Sequence, residues 1–272
     1  MVMRYCDLIK IIKERGSEAK IIAEETLNLS RAQMLIRGQG EIPKSAEQTL
    51  KKRLCELLEG RPLQYILGYW EFEGRRYEVS EGVLIPREDT LAVLSLAKEA
   101  IFGKDEAVFV DLGSGSGILA ASLSLDLNVK GFAVEKSERA LPFLEKNIKN
   151  LGAKVAVIGG DMFDENALNK LPMLDLVVSN PPYITAEEML SLDANVLKEP
   201  HEALFGGEDG LEFYREITKA YYPKLKEGGA LAFEVGHKQV DAVLEIMAAA
   251  GLKNPKEKKD INGIRRAVCA FK

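Results

Sequence analysis

The chain has 272 residues, with 46% hydrophobic and 29% charged residues and a formal net charge of −5, a composition typical of a globular protein. The acidic balance disfavours a protein that coats nucleic acid, and three widely spaced cysteines predict neither a disulfide framework nor a metal site. No apolar run approaches the roughly 18 residues of a membrane span and no signal-peptide core opens the chain, so we expect a cytoplasmic protein without membrane contact.

Residues 1–64 are predicted to form a small helical domain. Residues 30–33 and 45–48 both fit the capping-box pattern, in which a serine hydroxyl and a glutamine three residues later satisfy the free amides of a helix start. Four leucines then share one helical face: Leu50, Leu54, Leu57 and Leu58. Gly60 and Pro62 are expected to end that helix.

After this helical domain, which we call the head, the sequence pattern changes to that of β-structure. Residues 65–86 are rich in aromatic and β-branched residues around Gly74, which predicts a β-hairpin that links two domains. Residues 87–272 alternate between strand and helix patterns, which predicts an α/β domain with a parallel sheet covered on both faces. The strands are expected at Ala107–Leu112, Lys130–Glu135, Lys154–Ile158, Leu174–Ser179 and Gly229–Val235. Residues 264–271 are expected to add a final antiparallel strand after a turn at Asn262-Gly263.

A glycine-rich loop follows the first strand of this predicted sheet. It contains Gly113, Ser114, Gly115, Ser116 and Gly117, and glycines there let a ligand approach the backbone. The G-x-G-x-G spacing matches neither the dinucleotide fingerprint nor the phosphate-binding P-loop. The loop is therefore a candidate cofactor site of unspecified type.

The next two strand ends add polar groups to the same candidate site. Glu135 lies 22 residues after Gly113, where a carboxylate can accept hydrogen bonds from ribose hydroxyls. Asp161 follows the third strand, where its side chain or a backbone amide can meet an adenine edge. Together the three strand ends predict a nucleoside-containing cofactor, and a dinucleotide remains open at this point.

The segment after the fourth strand is Asn180, Pro181, Pro182 and Tyr183. Proline lacks an N–H, so this backbone presents carbonyl acceptors without competing donors. The Asn180 side chain adds another oxygen, and Tyr183 adds a flat aromatic face. A planar –NH₂ group would find two acceptors in its plane and a ring above it, so these four residues are the predicted substrate site.

Several blocks beyond this tetrapeptide support a family assignment. They are Arg61–Gly68, Phe72–Gly74, Val83–Arg87, Glu199–Leu204, Gly206–Leu211 and Lys259-Asp260. With Asn180–Tyr183 they make residues 15–272 resemble the peptide chain release factor glutamine methyltransferases, the HemK family. The resemblance implies a Rossmann-like class I methyltransferase domain behind a helical head and a β-hairpin linker. It also implies S-adenosylmethionine as cofactor and S-adenosylhomocysteine as product.

The implied substrate is the side-chain amide of the glutamine in the Gly-Gly-Gln loop of class-I release factors, which the head and linker would help to hold. Carried over by position, residues 113–117 and Glu135 would hold the cofactor, with Met162 near the adenine. Asn180, Pro181 and Tyr183 would be the catalytic residues, and Asn180 would also lie near the methionine part of the cofactor. The chain departs from the family pattern at Glu88–Leu91, Glu135 and Met162, which leaves the chemistry intact.

Three alternatives stay open from the residues alone. An amino methyltransferase acting on adenine in nucleic acid would use the same tetrapeptide, but such enzymes bring a basic groove that this acidic chain lacks. A glutamine methyltransferase acting on a ribosomal protein is a second alternative. A non-catalytic, cofactor-sensing protein with the same fold is the third. We expect no direct binding of nucleic acid and no metal.

Overall fold

The computed structural model describes residues 2–193 and 195–272. The chain divides into two compact units, one ending at Gly68 and the other beginning at Tyr69. The first unit is helical, with α1 (Tyr5–Arg15), α2 (Ser17–Leu27), α3 (Arg31–Arg37), α4 (Lys44–Leu58) and α5 (Leu63–Leu67). Its helices enclose a small apolar core that includes Leu8, Ile22, Met34, Ile42 and Leu50.

One of the two predicted capping boxes is confirmed and the other is wrong. The Ser30 hydroxyl accepts from the Gln33 amide at 3.3 Å, and the Gln33 side chain accepts from the Ser30 amide at 2.8 Å. At the second position, helix α4 begins at Lys44, so Ser45 lies inside the first turn. Pro43, with φ of −54°, occupies the N-cap position and has no side-chain acceptor, so no side chain caps the first-turn amides.

The second unit begins with a hairpin, β1 (Tyr69–Phe72) and β2 (Arg75–Glu78), and continues with the alternating elements. These are α6 (Thr90–Ile101), β3 (Val108–Leu112), α7 (Ile118–Leu127), β4 (Lys130–Glu135), α8 (Leu141–Leu151), β5 (Val155–Gly159), α9 (Glu165–Asn169), β6 (Leu174–Ser179), α10 (Ala186–Met189), α11 (Glu212–Tyr221), β7 (Leu225–Glu234), α12 (Val240–Ala249), β8 (Lys253–Lys259) and β9 (Arg265–Phe271). Short 3₁₀ turns lie at Val196–Lys198, His201–Ala203 and Tyr222–Lys224.

Seven of these strands form one mixed sheet with the order β5-β4-β3-β6-β7-β9-β8. Strands β3 to β7 are parallel, and β9 runs antiparallel to both of its neighbours, which confirms the predicted last strand. The chain winds outward from β3 to β5 and then returns to β6 on the other side of β3. This reversal creates a crevice at the carboxyl ends of β3 and β6, where ligands bind in open α/β sheets.

Alternate residues along the strands supply the two faces of the sheet. Phe109 and Ala232 belong to the core under α6, α7 and α8, whereas the adjacent Val110 and Leu231 belong to the core under α9, α11 and α12. Because both faces are covered, the central strands are apolar throughout, as the sequence indicates.

Two details of the predicted strands differ from the structure. Residues 65–67 belong to helix α5, so the hairpin starts at Tyr69 instead of Tyr65. Strand β8 has the sequence KNPKEKK and was not anticipated, because it is an exposed edge strand rich in lysine. Such residues protect an edge from pairing with another chain but remove the apolar pattern by which strands are recognised. No described helix combines the length and apolar character needed to cross a membrane.

Candidate active site

The glycine-rich loop connects the end of β3 to the start of α7. Gly113, Gly115 and Gly117 have φ of 67°, 54° and 83°, values that favour glycine. A Cβ added at Gly115 would meet nothing within 4 Å, so this residue faces open space. A Cβ at Gly117 would instead lie 2.6 Å from Leu144 Cδ1. Gly117 is therefore required for packing of α7 against α8.

Asp111 is a buried acid below this loop. Its carboxylate accepts from the Ala120 amide at 3.1 Å, and its carbonyl accepts from the Ser114 hydroxyl at 2.9 Å. Burial raises the pKa of the Asp111 carboxyl to about 7, with a smaller contribution in the same direction from Glu135. The Asp111 side chain thus ties the end of β3 to the first turn of α7, and a pKa of about 7 places its titration in the neutral range.

Glu135 ends β4 beside the loop and is also buried. Its two carboxylate oxygens accept from the amides of Gly115 at 2.7 Å and Ser137 at 2.8 Å. These bonds fix the carboxylate at the edge of the sheet. Each carboxylate oxygen has a second lone pair, which leaves Glu135 able to accept further hydrogen bonds from a ligand.

A cleft of about 980 Å³ opens above these strand ends. Most of the predicted cofactor residues line it, namely Gly113, Ser114, Gly115, Ser116, Glu135, Met162 and Asn180. Gly117 and Asp161 are not among its lining residues. The Asp161 carboxylate instead accepts from the Phe163 amide at 3.0 Å and pairs with Lys136 at 3.8 Å, so its side chain closes the turn after β5.

The predicted substrate segment begins directly at the end of β6. Leu112 of β3 pairs with Ser179 of β6, and the Ser179 hydroxyl donates to the Leu112 carbonyl at 2.7 Å. The glycine loop and Asn180 therefore leave the sheet from neighbouring positions at the crevice. The structure brings together the two motifs that lie 67 residues apart in the chain.

Asn180 also lines a second cavity, of about 740 Å³, and Tyr183 lines this second cavity too. Four residues border both spaces: Leu84, Arg87, Asn180 and Ala203. Pro182 lines only the first cleft, whereas Pro181 is buried and lines neither. Burial raises the pKa of the Tyr183 phenol well above its usual range, and the nearby Glu234 adds to this shift, so Tyr183 remains neutral.

Two contacts hold the backbone of this tetrapeptide in place. The Gln239 side chain donates to the Tyr183 carbonyl at 2.9 Å and accepts from the Gly236 amide at 3.1 Å. Beyond Tyr183, Ile184 pairs with Phe205 in an isolated parallel bridge. These contacts hold the Tyr183 end of the segment, so its shape does not depend on its prolines alone.

An ion pair between the buried Glu199 and the exposed Arg87 joins two segments that line both cavities. Glu199 accepts from Arg87 at 2.5 Å and from the Ile85 amide at 3.0 Å. This carboxylate therefore ties residues 83–87 to residues 199–204, and both segments line both cavities. The sequence shows both blocks, but nothing in their spacing indicates that Arg87 and Glu199 pair.

Glu234 lines the second cavity, and the sequence did not identify it as a site residue. It ends β7 and is 1% exposed, yet it borders the second cavity. The available signal was an acid at the end of an apolar strand, the same feature that draws attention to Glu135.

Comparisons with known proteins agree with this geometry. Residues 8–68 match the family model described as PrmC N-terminal domain, and residues 92–210 match Methyltransferase small domain. A methyltransferase structure from Pyrococcus furiosus, 18% identical, has a TM-score of 0.56 and covers 81% of this chain and 98% of its own. That likeness supports the class I methyltransferase fold.

Closer relatives cover nearly the whole chain. The release factor glutamine methyltransferase of Enterococcus faecalis is 34% identical over 99% of this chain and 100% of its own length. The Bacillus subtilis protein of the same name is 35% identical over 96% of this chain and 93% of its own. With the head and the catalytic unit both matched, the chain belongs to the release factor glutamine methyltransferase family.

Proposed function

We propose that this enzyme transfers a methyl group from S-adenosylmethionine to the side-chain amide nitrogen of the glutamine in the Gly-Gly-Gln loop of class-I release factors. The observation that carries the proposal is the position of Asn180. It lies at the junction of two cavities, one beside the glycine loop and one beside Tyr183. A methyl donor and an acceptor amide can therefore meet at this residue.

The residues of the first cleft fit the methyl donor. Glu135 is fixed by two backbone amides and can accept from ribose hydroxyls, while Met162 supplies an apolar wall for an adenine ring. The open space beside Gly115 lets a ligand approach the loop backbone. S-adenosylmethionine supplies an electrophilic methyl group on a positively charged sulfur.

The residues of the second cavity fit a planar amide. An amide nitrogen is a weak nucleophile because its lone pair is delocalised into the carbonyl group. Acceptors on its two hydrogens, from the Asn180 side chain and the Pro181 carbonyl, would raise electron density on nitrogen and stabilise the charge that develops there. The neutral Tyr183 ring would cover the amide plane. No strong base is needed before transfer, since the nitrogen proton becomes acidic only afterwards.

The direct test incubates the protein with methyl-labelled S-adenosylmethionine, a purified release factor and bulk RNA in one reaction. Mass spectrometry then locates the label. We expect a single methyl group on the glutamine of the Gly-Gly-Gln loop and none in a factor in which that glutamine is replaced by alanine. Label on adenine with none on glutamine would overturn the substrate assignment. A ribosomal protein labelled in preference to the factor would do the same.

A further inference from the structure

The second cavity contains an acid that the proposed chemistry does not use. Its lining is largely aliphatic, with Leu84, Ile184, Leu192, Val196, Ala203 and Leu204. Its polar residues are Arg87, Asp89, Asn180, Tyr183 and Glu234. Asn180 and Tyr183 have roles in the proposed reaction and Arg87 pairs with Glu199. Glu234 is left without an assigned partner.

The carboxyl of Glu234 is buried with one of its oxygens unpartnered. Within the described part of the chain, its Oε2 atom has no hydrogen-bond partner. The Thr90 hydroxyl lies close enough to the carboxyl to lower its pKa, but the pair falls short of hydrogen-bond geometry, since Thr90 Oγ1 is also unpartnered. Buried polar atoms in folded proteins are nearly always satisfied, so one that borders a cavity indicates a ligand that satisfies it.

The nearby arginines do not neutralise Glu234. Arg266 pairs with Asp89 at 3.3 Å and with Asp260 at 3.4 Å, and Arg87 pairs with Glu199. Burial accordingly raises the pKa of Glu234 to about 7, against the smaller opposing effects of Thr90 and then of Arg266. The cavity therefore offers an oxygen acceptor that no group of the protein occupies.

We propose that Glu234 is a positioning residue that accepts a hydrogen bond from an N–H group of the incoming substrate and so selects a carboxamide over a carboxylate. This inference rests on the proposed function. A glutamine side chain brings two N–H donors into the cavity, whereas a glutamate side chain brings none and adds a negative charge beside Glu234 and Asp89. The ionised form of Glu234 would repel this added charge, so the acid would reject the wrong side chain as well as hold the right one.

The test compares two forms of the release factor. The normal factor is the methyl acceptor, and a factor with glutamate in place of the target glutamine is a competitive inhibitor. For the wild-type enzyme we expect the inhibition constant of the glutamate factor to exceed the KM of the normal factor. Glu234→Gln keeps an oxygen acceptor and removes the charge. The inhibition constant of the glutamate factor divided by the KM of the normal factor should therefore fall by about tenfold.

Glu227→Gln is the matched control, because Glu227 lies on the same strand and is exposed. It should leave the ratio unchanged. Glu234→Ala removes the acceptor altogether and should raise the KM of the normal factor by about tenfold while the Kd for S-adenosylmethionine stays constant. A purely structural role would alter thermal stability in both Glu234 variants without moving the ratio.

The outcomes separate the two proposals. If the wild-type enzyme does not methylate the factor, the proposed function fails, irrespective of Glu234. If the wild-type enzyme methylates the glutamine but Glu234→Gln retains the full preference for the normal factor over the glutamate factor, the role of Glu234 is refuted and the function stands.

Discussion

Asn180 borders both cavities and begins the tetrapeptide Asn180–Tyr183. In the proposed reaction, Asn180 orients the amide and accepts a hydrogen bond from it. Because these contacts strengthen as charge develops on nitrogen, their loss should slow turnover more than it weakens binding.

Asn180→Ala should reduce kcat by about 10²–10³, the usual cost of removing one preorganised polar group from an active site. Single-turnover assays with saturating release factor would measure this effect directly. Asn169→Ala, at an exposed position in the last turn of α9, is the control and should behave as wild type. Near-normal turnover in Asn180→Ala would remove this residue from the mechanism.

Asp111 makes the stability of the second unit depend on pH. The folded pKa is about 7, whereas an unfolded aspartate has a pKa of about 3.9. The folded state therefore binds the proton more tightly, and the contribution of Asp111 is greatest at low pH. It is lost as the pH rises from about 4 to about 7.

Asp111→Asn should remove this part of the pH dependence. The free energy of unfolding of the variant minus that of wild type should increase with pH across this window, by at most about 1.4 kcal/mol per pH unit. Urea unfolding followed by the fluorescence of Trp70, the one tryptophan of the chain, reports on the unit concerned. The exposed Asp105→Asn is the control. Parallel curves for Asp111→Asn and wild type would contradict the expected protonation.

At the scale of elements, the tetrapeptide depends on a neighbouring turn. Ile184 donates to the Leu204 carbonyl at 2.9 Å, and Gly206 donates to the Ile184 carbonyl at 2.9 Å. A Cβ built at Gly206 would lie 2.6 Å from both the Pro182 carbonyl oxygen and Tyr183 Cα. Both atoms belong to the backbone, so relief requires the substrate segment itself to move.

Gly206→Ala should therefore lower kcat/KM by roughly 10- to 100-fold, since a displacement of about 1 Å at a reacting group can cost this much. The Kd for S-adenosylmethionine should change less, because the glycine loop is not displaced. Gly152→Ala provides the comparison: its φ of 70° is unfavourable for alanine, but a Cβ there meets nothing within 4 Å. That variant should lose stability and keep activity. Equal activity in the two variants would argue against the steric explanation.

The elements that the sequence predicted well are those whose own side chains determine them. The apolar strands β3, β4 and β6 are buried on both faces, so their composition alone indicates them. Strand β8 is held by pairing with β9 and has mostly exposed side chains, so its local sequence carries no such signal. The wrong capping box at Ser45 has a similar cause, since the serine pattern is present but Pro43 sets the start of the helix.

The site was predictable to the extent that it consists of strand ends. Parallel strands end at one edge, so the glycine loop, Glu135 and Asn180 were expected to converge, and they line one cleft. The Arg87–Glu199 pair joins positions 112 residues apart, and the unpartnered state of Glu234 depends on how Arg266 is engaged. Such features arise from tertiary packing and have no counterpart in local spacing.

At the scale of the whole molecule, the two compact units have separate roles in the proposed function. Every residue that lines either cavity lies at position 82 or beyond, within the second unit. Both apolar cores of the sheet are likewise built from residues between Phe72 and Phe271. The second unit thus contains its own core and its own candidate site, and no described residue of the helical unit is among those that form them.

A chain that starts at Tyr69 should consequently fold and bind S-adenosylmethionine with a Kd within about threefold of the full chain, since domains with their own core fold independently. Its KM for the release factor should rise by roughly tenfold or more, equivalent to about 1.4 kcal/mol, because the head is proposed to hold the factor. Calorimetry with the cofactor and steady-state methylation with the factor measure the two effects separately. An unchanged KM would exclude the head from substrate binding, whereas loss of cofactor binding would show that the catalytic unit needs the head to reach its native form.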